Sequence, residues 1–178
     1  MKNRIHLFGA SGSGTTTIAK GICQRIRYKH FDTDNYFWLP ANEPFTLQRP
    51  QEERKQLMEN DLSNCDRWVL SGSLAGWGDI FIPLFDLTVF VYVPHEIRME
   101  RLKKREYERY GDRIMPGGNK YESSIEFLDW AASYDTETRT GRNLSNHKKW
   151  FDNIKGCAIK IVNESLEDSI NKVIEAIN

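Results

Sequence analysis

Cysteine is scarce in this chain and badly spaced for structural chemistry. The three cysteines, Cys23, Cys65 and Cys157, are odd in number and far apart. Such spacing suits neither a disulfide framework nor a metal site, so a reducing cytosol is expected. Net charge is missing too, because 25 Lys and Arg balance 25 Asp and Glu. With no global basic field, nucleic acid is not an expected partner. No apolar run approaches the ~20 residues of a membrane span. The first apolar segment begins within a few residues of Met1, which leaves no room for a signal peptide. Internal repeats, low-complexity tracts and inter-domain linkers are absent as well. The expectation is one cytoplasmic domain over residues 1–178, monomeric or homodimeric, long enough to bury a proper core.

Against these absences stands Gly9-Ala10-Ser11-Gly12-Ser13-Gly14-Thr15-Thr16-Thr17. It follows the apolar run Ile5-His6-Leu7-Phe8 and opens a segment, Thr16 to Tyr28, with helical character. Strand, glycine-rich turn and helix form the context of a phosphate-binding loop, and the spacing matches GxxxxGK[ST]. Glycines let successive N–H groups turn inward as an anion nest, and the helix behind adds its positive end. Gly9, Ser11, Gly12, Ser13, Gly14, Thr15, Thr16 and Thr17 are therefore the expected nucleotide contacts, with the Thr16 hydroxyl placed for Mg²⁺. One residue departs from the pattern: Thr15 stands where the lysine belongs. A lost charge-assisted hydrogen bond costs about 1.5–3 kcal/mol, which nucleotide binding can survive. Catalysis would need another cation. Lys20 lies more than a turn along the helix and is a poor substitute.

Strand candidates alternate with helices, the pattern of a parallel α/β sheet. Strands are expected at Arg4–Phe8, Tyr28–Phe31, Arg67–Leu70, Leu87–Val93 and Ala158–Val162. The continuous apolar run of Leu87–Val93 indicates burial on both faces. Helices are expected at Gln51–Asn64 after Pro50, from Pro94 to Tyr110, at Tyr121–Tyr134 and at Ser145–Ile154. A last helix follows the cap Ser165. Asn35–Pro50 and Gly111–Gly118 read as loops. Sites in such sheets lie beyond the carboxyl ends of the strands.

Asp32 and Asp34 leave the second strand, and alternation in an extended backbone would put them on one side. Asp32 suits the metal, and Asp34 suits an acceptor hydroxyl. The third strand ends without an acid, at Ser71 to Gly78. Trp38 and Trp77 are candidates to wall the acceptor or to pack in the core. Arg101, Arg105 and Arg109 repeat at helical spacing, and Arg113, Arg139 and Arg142 follow. A row of arginines entering a Gly/Pro loop fits a lid over phosphates, whereas Arg98 and Arg109 read as a solvated face. His6, His30, His95 and His147 read as structural.

Together these residues resemble the nucleoside-monophosphate kinase and shikimate/gluconate kinase branch of P-loop kinases. Val93-Pro94-His95-Glu96-Ile97, with Arg101 and Arg105 following, is similar to the adenylate-kinase pattern. That resemblance implies Arg101 against adenine and Arg105 on phosphates. Asp135-Thr136-Glu137-Thr138 with Arg142 and His147 resembles the segment after the lid that supplies further arginines. Asp32-x-Asp34 is more like the shikimate and gluconate kinases. The loop Gly9–Thr17 and the segments from His30 to Pro40 and Trp68 to Asp79 resemble a bacterial group of adenylate-kinase-like ATPases. The resemblance implies a three-layer P-loop NTPase fold, with a five-stranded parallel sheet flanked by helices. It further implies ATP and Mg²⁺ as cofactors, an acceptor-side segment at about 34–64 and a lid at about 105–120. The lid lacks metal-binding cysteines. The expected activity moves the γ-phosphoryl of ATP to a small hydroxyl- or phosphate-bearing acceptor, using Asp34, Arg105 and Arg142 for catalysis and Thr16 with Asp32 for the metal. The alternative is a nucleotide-binding sensor without transfer.

Overall fold

The computed structural model describes residues 1–136 and 139–178. Five strands alternate with helices: β1 (Arg4–Gly9), α1 (Thr15–Ile26), β2 (Lys29–Asp32), α2 (Thr33–Phe37), α3 (Gln51–Ser63), β3 (Trp68–Ser71), β4 (Leu87–Tyr92), α4 (His95–Tyr110), α5 (Tyr121–Ala132), α6 (Leu144–Asp152), β5 (Ala158–Val162) and α7 (Leu166–Ile177). All strand pairings are parallel, in the order β2-β3-β1-β4-β5. The chain therefore reverses direction across the sheet beside β1, and that crevice receives the loop after β1.

Alternation along the strands sorts the core by side-chain shape. Ile5, Leu7, Val69, Val89 and Val91 face Ile18, Ile22, Ile170 and Val173 of α1 and α7. Phe8, Trp68, Leu70 and Phe90 point to the other face, among Met58, Phe81 and Trp150. Branched aliphatic side chains thus meet two helices, while the aromatic layer accommodates α3, α6 and a 3₁₀ turn at Asp79–Leu84. Ser165 caps α7 by accepting from the Asp168 N–H, as the sequence suggested.

Three local expectations are corrected. Asp32 and Asp34 do not share an extended backbone. Asp32 ends β2 and caps α2 by accepting from the Asp34 N–H at 3.0 Å, so Asp34 sits in a helical first turn. The chain from Asn35 to Pro50 is accordingly helical as far as Phe37. Arg98 is not a solvated residue: it is fully buried. Glu137 and Thr138, which contribute to the resemblance after the lid, lie outside the described residues.

Candidate active site

The loop after β1 is shaped by two left-handed glycines, Gly12 at φ 83° and Gly14 at φ 87°. Ser13 N–H closes a turn on the Ala10 carbonyl at 3.0 Å, and the Gly14 carbonyl starts α1 by accepting from Ile18 at 2.9 Å. The first N–H groups of α1 have no intrahelical acceptor and face the loop mouth with the positive end of the helix. A Cβ on Gly14 would lie 2.6 Å from the Asn163 amide nitrogen. That proximity has a cause. Asn163, just after β5, donates to the Ser13 carbonyl at 2.8 Å and accepts from Ser169 Oγ at 3.1 Å. Arg101 donates to the Asn163 carbonyl at 3.0 Å, which puts it beside the loop's α7 flank. Sequence reasoning missed Asn163. A single buried amide after an edge strand carries no spacing signal.

Behind the loop, hydroxyls converge on Asp32. Thr16 Oγ1 donates to Asp32 Oδ2 at 2.8 Å and Ser71 Oγ donates to the same oxygen at 3.0 Å. With its proton committed to Asp32, Ser71 accepts from His30 Nε2–H at 2.9 Å. Ser71 thus occupies the strand end that lacks an acid. Among the described residues no three His, Cys, Asp or Glu side chains gather as a metal site. A hydroxyl beside one carboxylate fits Mg²⁺, which prefers hard oxygens and draws its other ligands from phosphates and water.

Asp34 opens on solvent at the cleft mouth, yet the protein around it pushes its carboxyl above the usual range. Lost hydration is the main cause and the neighbouring Asp32 charge the second; Arg142, Arg105 and a hydrogen bond from Trp38 oppose the rise. Asp34 is therefore within electrostatic reach of both arginines expected from sequence to act with it. Arg105 is drawn below its ordinary value by burial and by Arg109, and is opposed by Glu106 and Asp34. Glu106, buried between Arg105 and Arg109 at 4.0 and 3.9 Å, holds both guanidiniums.

The remaining arginines approach from the segment after α5. Arg142 Nη2 lies 3.4 Å from Ser11 Oγ, a long contact that nevertheless sets a guanidinium at the loop. Arg98 donates to the Ala131 carbonyl at 2.9 Å, pairs with Asp135 at 2.7 Å and reaches the Ser11 carbonyl at 3.4 Å. His147 fixes the segment from below. It is fully buried between Tyr134 Oη at 2.8 Å and Ser73 Oγ at 2.9 Å, and its pKa is lowered to about 3, chiefly by burial. Thr17 is exposed on α1, and Lys20 is exposed a turn further along. Across the mouth, Glu43 pairs with Lys120 and lies 3.7 Å from Arg113, while Arg109 stacks 5.1 Å over Phe45.

Comparison with known proteins places the chain in a family. An AAA domain family model matches residues 5–129. The chain belongs to this family.

A Bacillus subtilis relative named Uncharacterized protein YqaC is 41% identical over 98% of this chain and 97% of its own length. A cytidylate kinase of Methanocaldococcus jannaschii is 33% identical over 57% of the chain, and the match spans 64% of that enzyme. The fold is shared with deoxyadenosine kinase from M. mycoides with bound dATP (TM-score 0.59, 14% identity, 98% of this chain and 99% of that one). It is also shared with shikimate kinase from Acinetobacter baumannii in complex with shikimate (TM-score 0.56, 16% identity, 98% and 92%). This AAA-family chain is thus a P-loop protein of the small-molecule-kinase-like group. The family match ends at residue 129, so Arg139 and Arg142 lie beyond it. Among the described residues no helix is long and apolar enough to cross a membrane.

Proposed function

We propose that the protein transfers the γ-phosphoryl group of ATP to a small acceptor, preferentially a hydroxyl. The observation that carries this reading is Arg142 standing 3.4 Å from Ser11 Oγ at the phosphate loop, with Asp34 near enough to feel the charges of Arg142 and Arg105. The loop Gly9–Thr17 supports triphosphate binding through its N–H groups, and Arg101 beside Asn163 suits the nucleobase. Thr16 and Asp32 would hold Mg²⁺, with Ser71 as a further hydroxyl. Bound there, the ion would neutralise charge on the outer phosphates.

In the step itself, an acceptor hydroxyl gives its proton to Asp34 as its oxygen bonds to the γ-phosphorus. The bond from that phosphorus to the β–γ bridging oxygen breaks, and ADP leaves. Asp34 is suited to this task because its raised pKa makes it a better base than an ordinary carboxylate. Arg105 and Arg142 would offset charge on the moving group, where an arginine can be worth about 10³–10⁵ in rate. An acceptor phosphate needs no base and would be repelled by Asp34 and Asp32, which favours an alcohol.

A second reading, phosphate as the acceptor, is favoured by the cytidylate kinase relatives and by the two arginines. Release of ADP from Mg·ATP, measured against panels of polyols, nucleosides and nucleoside monophosphates, separates the two. Release stimulated by an alcohol supports the first reading, and by a monophosphate alone the second. Binding of Mg·ATP with no release from any acceptor would leave a nucleotide sensor.

A further inference from the structure

The guanidiniums around the loop lack partners for several of their donors. Among the described residues, the buried Nε groups of Arg98, Arg105 and Arg139 have no hydrogen-bond acceptor. Neither Arg139 nor Arg142 forms an ion pair there, and Arg139 falls to about 10 through burial and the repulsion of Arg142 and Arg98. Arg139 and Arg142 are half-buried, and cations that lose water while repelling each other are costly unless something compensates them.

Aromatic faces supply part of the compensation, and they come from one short stretch. Arg105 lies 5.7 Å over Phe127 and Arg98 lies 5.2 Å over Tyr134. Arg139 stacks on Trp130 at 3.7 Å while donating to the Trp130 carbonyl at 2.7 Å, and Arg142 stands 5.2 Å from the same ring. Phe127 in turn stacks on Trp130 with ring centroids 6.0 Å apart. Guanidinium planes bind aromatic faces without using their in-plane donors, which stay free for phosphate oxygens. Trp130, Arg139 and Arg142 also line one recess with Ser11.

We propose that Trp130 is a positioning residue, holding Arg139 and Arg142 at Ser11 as the cations that replace the missing loop lysine. The inference rests on the ATP-binding reading above. It deepens that reading by making the γ-phosphate site dependent on a tryptophan outside the loop and outside the matched family region. Trp130 itself touches no phosphate in this arrangement.

The test is calorimetric binding of Mg·ATP and Mg·ADP to the full chain carrying Trp130→Leu, Trp130→Gln or Trp130→Phe, with thermal unfolding measured in parallel. Trp130 is 39% exposed, so either ringless variant should leave the fold intact. Loss of the ring should weaken Mg·ATP roughly tenfold to thirtyfold. Mg·ADP should weaken less, and Trp130→Phe should restore most of the loss. Ringless variants that bind Mg·ATP as the wild type does would overturn the proposal. So would equal losses for both nucleotides without rescue by Phe, since that pattern describes a fold defect. A wild type that binds neither nucleotide would instead overturn the functional reading beneath it.

Discussion

The loop Gly9–Thr17 and the segment carrying Arg139 and Arg142 meet at Ser11, but they are built by opposite means. The loop is backbone: two left-handed glycines, a turn on Ala10 and the start of α1 define its shape. Asn163 reaches in from far along the chain to fasten its backbone at the Ser13 carbonyl. The arginine segment is side chain: its guanidiniums rest on Trp130, and it is tied down by His147, Tyr134 and Ser73. A nest of N–H groups can be specified by nine consecutive residues. A cation placed from 130 positions away cannot. On the proposed reading, the first region binds phosphate and the second supplies the charge that a P-loop normally keeps in its own lysine.

The largest effect expected from breaking this arrangement is at the acceptor. Asp34→Asn should lower turnover by about 10²–10⁴-fold, the usual contribution of a general base, with little change in Mg·ATP affinity. Turnover near the wild-type rate would remove Asp34 from the chemistry. Because burial raises its pKa, activity should also fall on the acid side at a pH above the ordinary carboxylate range.

A pH scan of stability probes the buried supports of the two regions. His6 is lowered to about 4, by burial against the hydrogen bond its Nε2–H donates to the Gly72 carbonyl, and His147 to about 3. Both bases are depressed, so the unfolded chain binds protons first. Their stabilisation is present above the unfolded value near ~6.5 and is lost as pH falls from there toward the folded values. Between pH 7 and 5 the loss should be on the order of 3–4 kcal/mol, read as a falling midpoint in denaturant. Stability that is flat over this interval would show that neither histidine is held neutral.

The loop's rigidity is tested by Gly14→Ala. A non-glycine residue in the left-handed region costs roughly 1–3 kcal/mol, and here the new methyl also meets Asn163. Chemical denaturation should report a loss of that size together with weaker nucleotide binding, and an unchanged midpoint would mean the loop relaxes freely. The smallest effect belongs to the mouth. Glu43→Gln should change the apparent acceptor KM by no more than about threefold, and only at low salt, because exposed ion pairs are screened. A larger change that persists in high salt would assign Glu43 to the acceptor itself.

What was legible in the sequence follows the same division. The five strands, their order of appearance, the loop and the Ser165 cap all rest on local patterning, and local patterning suffices for them. Asp34 is recognisable as a candidate from its place after β2, but its setting is not: an Asx cap from Asp32 turns the backbone into α2, and capping competes with strand extension in any Asp-rich strand end. Arg98 looked like one more charge on a polar helix. Its burial depends on Asp135 and the Ala131 carbonyl, which the fold brings together across more than thirty residues. Asn163, Glu106 and Trp130 gave no signal for the same reason. Each is an ordinary residue type whose role exists only through a tertiary neighbour.

Arg142, held with Arg139 on Trp130, is proposed to supply most of the positive charge missing at Thr15. This is tested most directly by calorimetric Mg·ATP binding to the wild type, to Arg142→Ala and to Arg142→Ala with Thr15→Lys. The account predicts a loss of roughly ten- to a hundredfold on removing Arg142 and substantial recovery when lysine returns to the loop. Arg142→Ala binding Mg·ATP as tightly as the wild type would contradict it.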